Sequence, residues 1–199
     1  MRNLDNVSRE TLVRLDVYVA LLQKWNQRIN LIGPANIDEI WTRHIVDVLQ
    51  LRPIAGTPES WADLGSGGGL PGLVMAILYA DEAGPQLTLV ESDQRKAAFL
   101  RQVIQQLDLN ASVETDRIET LKPLNAQIIS ARALAPLPKL LGYVARHLAP
   151  DGRALLPKGR RWKSELANTQ DQWTFDHKVW QSQTDPDAVI LEITNLDPA

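Results

Sequence analysis

Apolar residues recur at three- and four-residue steps through Leu12, Leu15, Val19, Leu22, Trp25 and Ile29, a spacing that draws one stripe along an amphipathic helix. Ser8, with Glu10 and Thr11 close behind, suits its start, and Gly33-Pro34 suits its stop. A second helix is predicted from about Ile37 to Leu51, ending before Pro53. Beyond residue 60 the pattern changes. Short strand-like runs appear at residues 61–64, 87–90, 111–114, 127–130 and 153–156, and longer helix-like segments at 70–80, 93–107 and 136–148 separate most of them. Alternation of this kind builds a mostly parallel sheet with helices on both faces. Trp173 to Trp180 and Ala188 to Thr194, joined through Thr184-Asp185-Pro186-Asp187, predict a C-terminal antiparallel hairpin. The expected architecture is an α/β unit over residues 59–199 behind an N-terminal helical extension over 1–58.

Composition narrows the chemistry. The chain has 199 residues, 44% apolar and 23% charged, which is enough apolar surface for a packed core and argues against disorder. No apolar run approaches the roughly 20 residues of a membrane span, and the stretch MRNLDNVSRE lacks a signal peptide's apolar core. The absence of cysteine excludes a disulfide scaffold, a thiolate zinc site and a cysteine nucleophile. Net charge is −3, yet residues 91–165 carry 13 basic and 8 acidic groups, whereas residues 166–199 carry 1 and 6. The basic excess in the middle of the chain is placed to meet phosphates, or forms an ordinary mixed surface.

The most informative stretch is Asp63-Leu64-Gly65-Ser66-Gly67-Gly68-Gly69-Leu70-Pro71-Gly72. It follows a strand and opens a helix, and Pro71 suits a first helical turn. Read from Gly67, the run satisfies G-x-G-x-x-G, the dinucleotide fingerprint. Asp63, at the strand end, suits a cationic ligand such as the sulfonium and amino groups of S-adenosylmethionine better than a pyrophosphate. Glu91 ends the next strand, 19 residues after Gly72, where an acid accepts from both ribose hydroxyls of either ligand.

Further motifs stand in order along the chain. They are Trp25-Asn26 with Asn30-Leu31, Arg43-His44-Ile45-Val46-Asp47, the glycine loop, Ser130-Ala131-Arg132-Ala133 and Leu156-Pro157-Lys158-Gly159. Together, across about residues 20–160, they resemble the small-subunit ribosomal RNA methyltransferases known as the RsmG or GidB family (glucose-inhibited division protein B). The resemblance implies a class I, Rossmann-like methyltransferase fold with S-adenosyl-L-methionine as donor. It implies methyl transfer to N7 of one guanine, position 527 in the usual ribosomal numbering, of 16S rRNA. Carried over residue by residue, the family's cofactor contacts fall on Gly65, Leu70, Ile118, Glu119 and Arg132. Glu91 stands where the family often has Asp. No function attaches to the residues after about 165.

Guanine N7 carries an in-plane lone pair and no proton at neutral pH, so the reaction needs no general base and no catalytic residue is nominated. Positioning and a water-poor pocket would supply the catalysis. Arg43, His44 and Asp47 share a predicted helix face, either as an ion pair joining the extension to the sheet or as a wall of the substrate pocket. Lys158, Arg160, Arg161 and Lys163, beside Trp162, are either RNA contacts or a solvated loop. His147 and His177 read as ordinary helix-end and surface residues, and Trp25, Trp41 and Trp61 as core. Arg43, Arg132, Lys158 and Arg160 are expected at the mouth of the cofactor pocket. The expected partner is 16S ribosomal RNA or the small ribosomal subunit, met by a cytoplasmic monomer without metal or membrane. A nicotinamide-dependent oxidoreductase and a non-catalytic adenosine-ligand or RNA-binding module remain as alternatives on the same fold.

Overall fold

The computed structural model describes residues 7–33 and 37–199, without the side chains of residues 37, 38 and 43. Helix α1 (Arg9–Asn26) starts where Ser8 accepts the Thr11 N–H at 3.0 Å, with Glu10 in the first turn. Its inward face is Leu15, Tyr18, Val19 and Leu22, all buried. The helix stops well before Gly33-Pro34. The Asn26 side chain accepts the Leu31 N–H at 2.8 Å and the Ile32 N–H at 3.0 Å, so its carbonyl stabilises a turn that competes with helix. Ile29 therefore lies beyond the helix rather than on its stripe.

The next helical stretch is segmented into α2 (Ile37–Ile40), a π-helical turn (Trp41–Ile45), α3 (Val46–Leu49) and α4 (Leu51–Ala55). It continues past Pro53 because the chain restarts at Gln50. Proline then falls in the first turn of α4, where its missing N–H costs no helical bond.

The sheet is built from β1 (Ser60–Leu64), β2 (Gln86–Val90), β3 (Ala111–Glu114), β4 (Ala126–Ser130), β5 (Leu148–Lys158), β6 (Trp173–Gln181) and β7 (Val189–Pro198). Its order is β3-β2-β1-β4-β5-β7-β6. The pairings among β1 to β5 are parallel, and β7 runs antiparallel to β5 and β6. Helices α5 (Gly72–Leu78), α6 (Gln94–Leu107) and α7 (Leu137–His147) alternate with the strands, and a short α8 (Trp162–Ala167) follows β5.

Successive strand residues serve opposite cores. Trp61, Leu87, Leu89 and Ile128 face the side covered by α1, α5 and α6, which also holds Trp41 and Val48. Ala62, Leu64, Val90 and Ile129 face the side covered by α7. The strand order reverses between β1 and β4, which leaves a crevice at their carboxyl ends. Among the described residues, no helix is long and apolar enough to cross a membrane.

Candidate functional site

The glycine loop leaves β1 at that crevice. Gly65 and Gly67 have φ of +67° and +54°, the left-handed region that side chains with a Cβ rarely adopt. A Cβ on Gly65 would also approach Leu134 Cδ1 to 2.5 Å. The loop is held from three sides. Ser66 donates its N–H to the Val90 carbonyl at 3.0 Å and its hydroxyl to the Asp63 carbonyl at 2.9 Å. Tyr18, fully buried on α1, donates its hydroxyl to the Gly68 carbonyl at 2.6 Å. The Glu91 carboxylate accepts the Gly67 N–H at 3.0 Å and the Asp93 N–H at 2.8 Å. Asp93 in turn caps α6 through the N–H groups of Arg95 and Lys96.

The loop, Glu91 and the segment after β3 enclose a cavity of about 410 Å³ whose lining includes Gly65, Gly67, Glu91, Ile118 and Glu119. Five sequence-nominated residues, spread over more than fifty positions, thus meet in one space. The 118–121 segment is fixed by α7. Tyr143 donates its hydroxyl to Glu119 Oε1 at 2.7 Å, Arg146 reaches the Leu121 carbonyl at 2.8 Å, and His147 bonds the Ile118 carbonyl at 2.9 Å. A carbonyl can only accept, so His147 carries its proton on Nε2. Burial lowers its pKa and keeps the ring neutral. His147 is more than the ordinary helix-end residue expected from the sequence. It is fully buried and props the cofactor-side segment.

The other nominated residues sit elsewhere. Asp63 is buried behind the loop, where its carboxylate accepts the Ser130 hydroxyl at 2.7 Å and the Gly72 N–H at 3.1 Å. It therefore braces the loop from below and does not line the cavity. Leu70 is buried in the core beneath the loop. Arg132 lines an adjoining cavity of about 640 Å³, which shares Ala133, Leu134 and Ala135 with the first. Among the described residues, its guanidinium has no hydrogen-bond partner. Burial pulls its pKa down while Tyr18, Asp47 and Asp63 pull it up.

Lys158 also lines that second cavity, but it is not a solvated cation awaiting phosphate. Its ammonium pairs with Glu165 at 2.8 Å, and the side chain is only 9% exposed. The cause is α8, a helix where a solvated loop or RNA contacts are expected, which brings Glu165 back to the end of β5. Arg160 and Arg161 are exposed and line a hollow opposite Asp185 and Asp187. The Arg43 side chain lies outside the described residues. Asp47 accepts the Thr184 hydroxyl at 2.8 Å and the Ser182 hydroxyl at 3.1 Å. It therefore ties the helical extension to the turn between β6 and β7.

Signals for the remaining residues were weak. Tyr18 stands at i+3 from Leu15, where periodicity reads only core. Glu165 and Tyr143 belong to no motif, and their roles arise from packing.

Comparison with known proteins places this geometry. A family model described as GidB, rRNA small subunit methyltransferase G, matches residues 11–188. Ribosomal RNA small subunit methyltransferase G of Paracoccus denitrificans is 56% identical over 193 residues, covering 96% of this chain and 98% of that protein. The enzyme of the same name from Ruegeria pomeroyi is 49% identical, covering 96% and 94%. Among solved structures, a TehB-like SAM-dependent methyltransferase from Corynebacterium glutamicum has a TM-score of 0.58 at 13% identity, covering 90% of this chain and 98% of that one. A SAM-dependent methyltransferase from Aquifex aeolicus also scores 0.58 at 13% identity, covering 88% and 96%. At such identity these neighbours speak for the fold alone, the class I methyltransferase fold. The match over most of its length decides the family: the chain belongs to the rRNA small subunit methyltransferase G, or GidB, family.

Proposed function

We propose that the protein methylates N7 of a single guanine, position 527 in the usual numbering, in the 16S rRNA of the small ribosomal subunit, using S-adenosylmethionine in the cytoplasm. The observation that carries this reading is the convergence of Gly65, Gly67, Glu91, Ile118 and Glu119 on one cavity at the carboxyl ends of the strands. The cavity also fits the donor. At Gly67 a Cβ would meet, beyond its immediate chain neighbours, only the Gly65 carbonyl oxygen at 3.8 Å, so the backbone leaves an open cradle for close approach. Glu91 offers a fixed carboxylate for ribose hydroxyls, and the Ile118–Glu119 segment offers an amide and a carboxylate for an adenine edge.

When bound, S-adenosylmethionine supplies an electrophilic methyl group. The chain's own residues bind, orient and exclude water. Asp63 and Tyr18 set the loop from beneath, Glu91 and the 118–119 segment hold the nucleoside, and Ala133 to Ala135 form the wall towards the acceptor. Guanine N7 presents its lone pair without losing a proton, so none of these residues acts as a base. Catalysis rests on alignment in a partly enclosed space. Exposed Arg160 and Arg161 are suited to RNA phosphates. The nucleotide is best presented from a single-stranded or loop region, because the deep major groove of an RNA helix hides the N7 edge. Family membership does not favour a nicotinamide oxidoreductase on the same loop.

The test is to map methylated guanines in 16S rRNA from cells with and without the protein. Loss of one N7-methylguanine at 527, restored by the purified protein with S-adenosylmethionine, is the expected result. An unchanged methylation map overturns the reading.

A further inference from the structure

Both guanine and adenine carry an N7 lone pair, so an enzyme acting at N7 of one purine must read something besides the nucleophile. The two bases differ at position 6, where guanine has a carbonyl acceptor and adenine an amino donor. They differ also at N1 and C2, where guanine alone presents an N–H and an amino group. A guanine pocket therefore needs a donor next to N7 and an acceptor further round the ring.

The cavity of about 640 Å³ beside the cofactor cleft contains that pair. It shares the Ala133–Ala135 wall with the cleft, so a base seated in it presents one edge across that wall. Arg132 directly precedes that shared wall and lines only the second of the two cavities. Its half-buried guanidinium lines the cavity and has no hydrogen-bond partner among the described residues. Its N–H donors are therefore available to an acceptor that enters the cavity. To the same lining α8 supplies Glu165. Its Oε2 accepts the Lys158 ammonium at 2.8 Å and the Leu137 N–H at 3.0 Å, which pins the carboxylate, while Oε1 has no partner among the described residues.

We propose that this second cavity is the target-base pocket, in which Arg132 donates to guanine O6 and Glu165 Oε1 accepts from guanine N1–H and the 2-amino group. Lys158 and the first turn of α7 act as positioning groups for Glu165. Adenine is rejected twice, because its 6-amino group meets the Arg132 donors and its bare N1 faces a carboxylate. Rejection of this kind is strong because it leaves buried polar groups unpaired. The proposal rests on the methyltransferase reading above and adds the residues that choose the base.

The test uses small subunits reconstituted with 16S rRNA carrying guanine, inosine or adenine at the target position. Inosine keeps N7, O6 and N1–H and lacks only the 2-amino group. Two readouts are taken, the kcat/KM of methylation and the affinity of the subunit for the protein with S-adenosylhomocysteine bound. For the wild-type protein, guanine should exceed inosine about tenfold in both, the worth of one hydrogen bond to a charged acceptor, and adenine should be poorer still. Glu165→Ala and the paired Lys158→Met/Glu165→Leu variant, which leaves no unpaired buried lysine, should bring the guanine-to-inosine ratio below about threefold. Arg132→Ala should narrow the gap between guanine and adenine.

A wild-type protein that methylates guanine subunits and treats inosine equally overturns the proposal without needing any variant to fold. A paired variant that keeps the full preference overturns it too. Failure to methylate or bind guanine subunits at all overturns the underlying methyltransferase reading as well.

Discussion

Ser130 donates its hydroxyl to the Asp63 carboxylate at 2.7 Å while receiving the Trp61 indole N–H at 2.8 Å. This buried chain links β4 to the end of β1 and fixes the carboxylate that holds Gly72 behind the glycine loop. Burial pushes the Asp63 carboxyl up from 3.8 to about 6, against the hydrogen bonds that favour its ionised form. A pKa raised in the folded state favours the fold while the group is protonated. The contribution is fully present below about pH 4 and is lost as pH rises through about 6. Wild-type stability measured against Asp63→Asn by urea denaturation should fall by about 2 kcal/mol between pH 4 and pH 7. A difference independent of pH would place the Asp63 pKa at its ordinary value.

Gly67→Ala tests the cradle. The left-handed backbone there costs a residue with a Cβ about 1–2 kcal/mol, and the added methyl occupies space at the cavity wall. Affinity for S-adenosylhomocysteine, read by calorimetry, should drop at least about tenfold while circular dichroism keeps its helical signal, given how close backbone and ligand must come. Unchanged affinity in the folded variant would remove the loop from the cofactor site.

Glu91→Gln changes charge and hydrogen-bond pattern at constant shape. The carboxylate serves the N–H groups of Gly67 and Asp93 with its two oxygens, and an amide can serve only one. The other N–H then faces a donor, and any ribose contact loses its charge. A loss of about 1–3 kcal/mol in S-adenosylhomocysteine binding is expected. Full retention would show that neither the loop geometry nor the ribose depends on this acid.

Arg160 and Arg161 are exposed cations beside Lys158, which is itself paired with Glu165. Replacing both arginines with Ala should weaken binding to the small subunit and reduce the slope of log affinity against log salt by about 1–2. Cofactor affinity should not change. An unaltered salt slope would move the RNA footprint to another face.

The sequence by itself determined the alternation that makes a parallel sheet, the glycine loop after β1, the acid at the end of β2 and the terminal hairpin. These are local signals. Period-two runs, left-handed glycines and a capping Ser8 depend on residues within a few positions of one another, and their physics does not wait for the rest of the chain. Family motifs carried the reading further, to Ile118 and Glu119, because their order along the chain is itself a pattern.

Only the tertiary structure decided which motif residues line a cavity and which brace it. Asp63 reads as a ligand-facing charge until Ser130 and Gly72 are seen to occupy its oxygens. Lys158 reads as a phosphate contact or part of a solvated loop until α8 folds Glu165, seven residues later in the chain, onto it. Tyr18, Tyr143 and His147 carry no local mark of their roles, since each role is a hydrogen bond to backbone or carboxylate at least 24 residues away. Such bonds form where burial leaves a polar group no water to turn to, and burial is a property of the assembled fold.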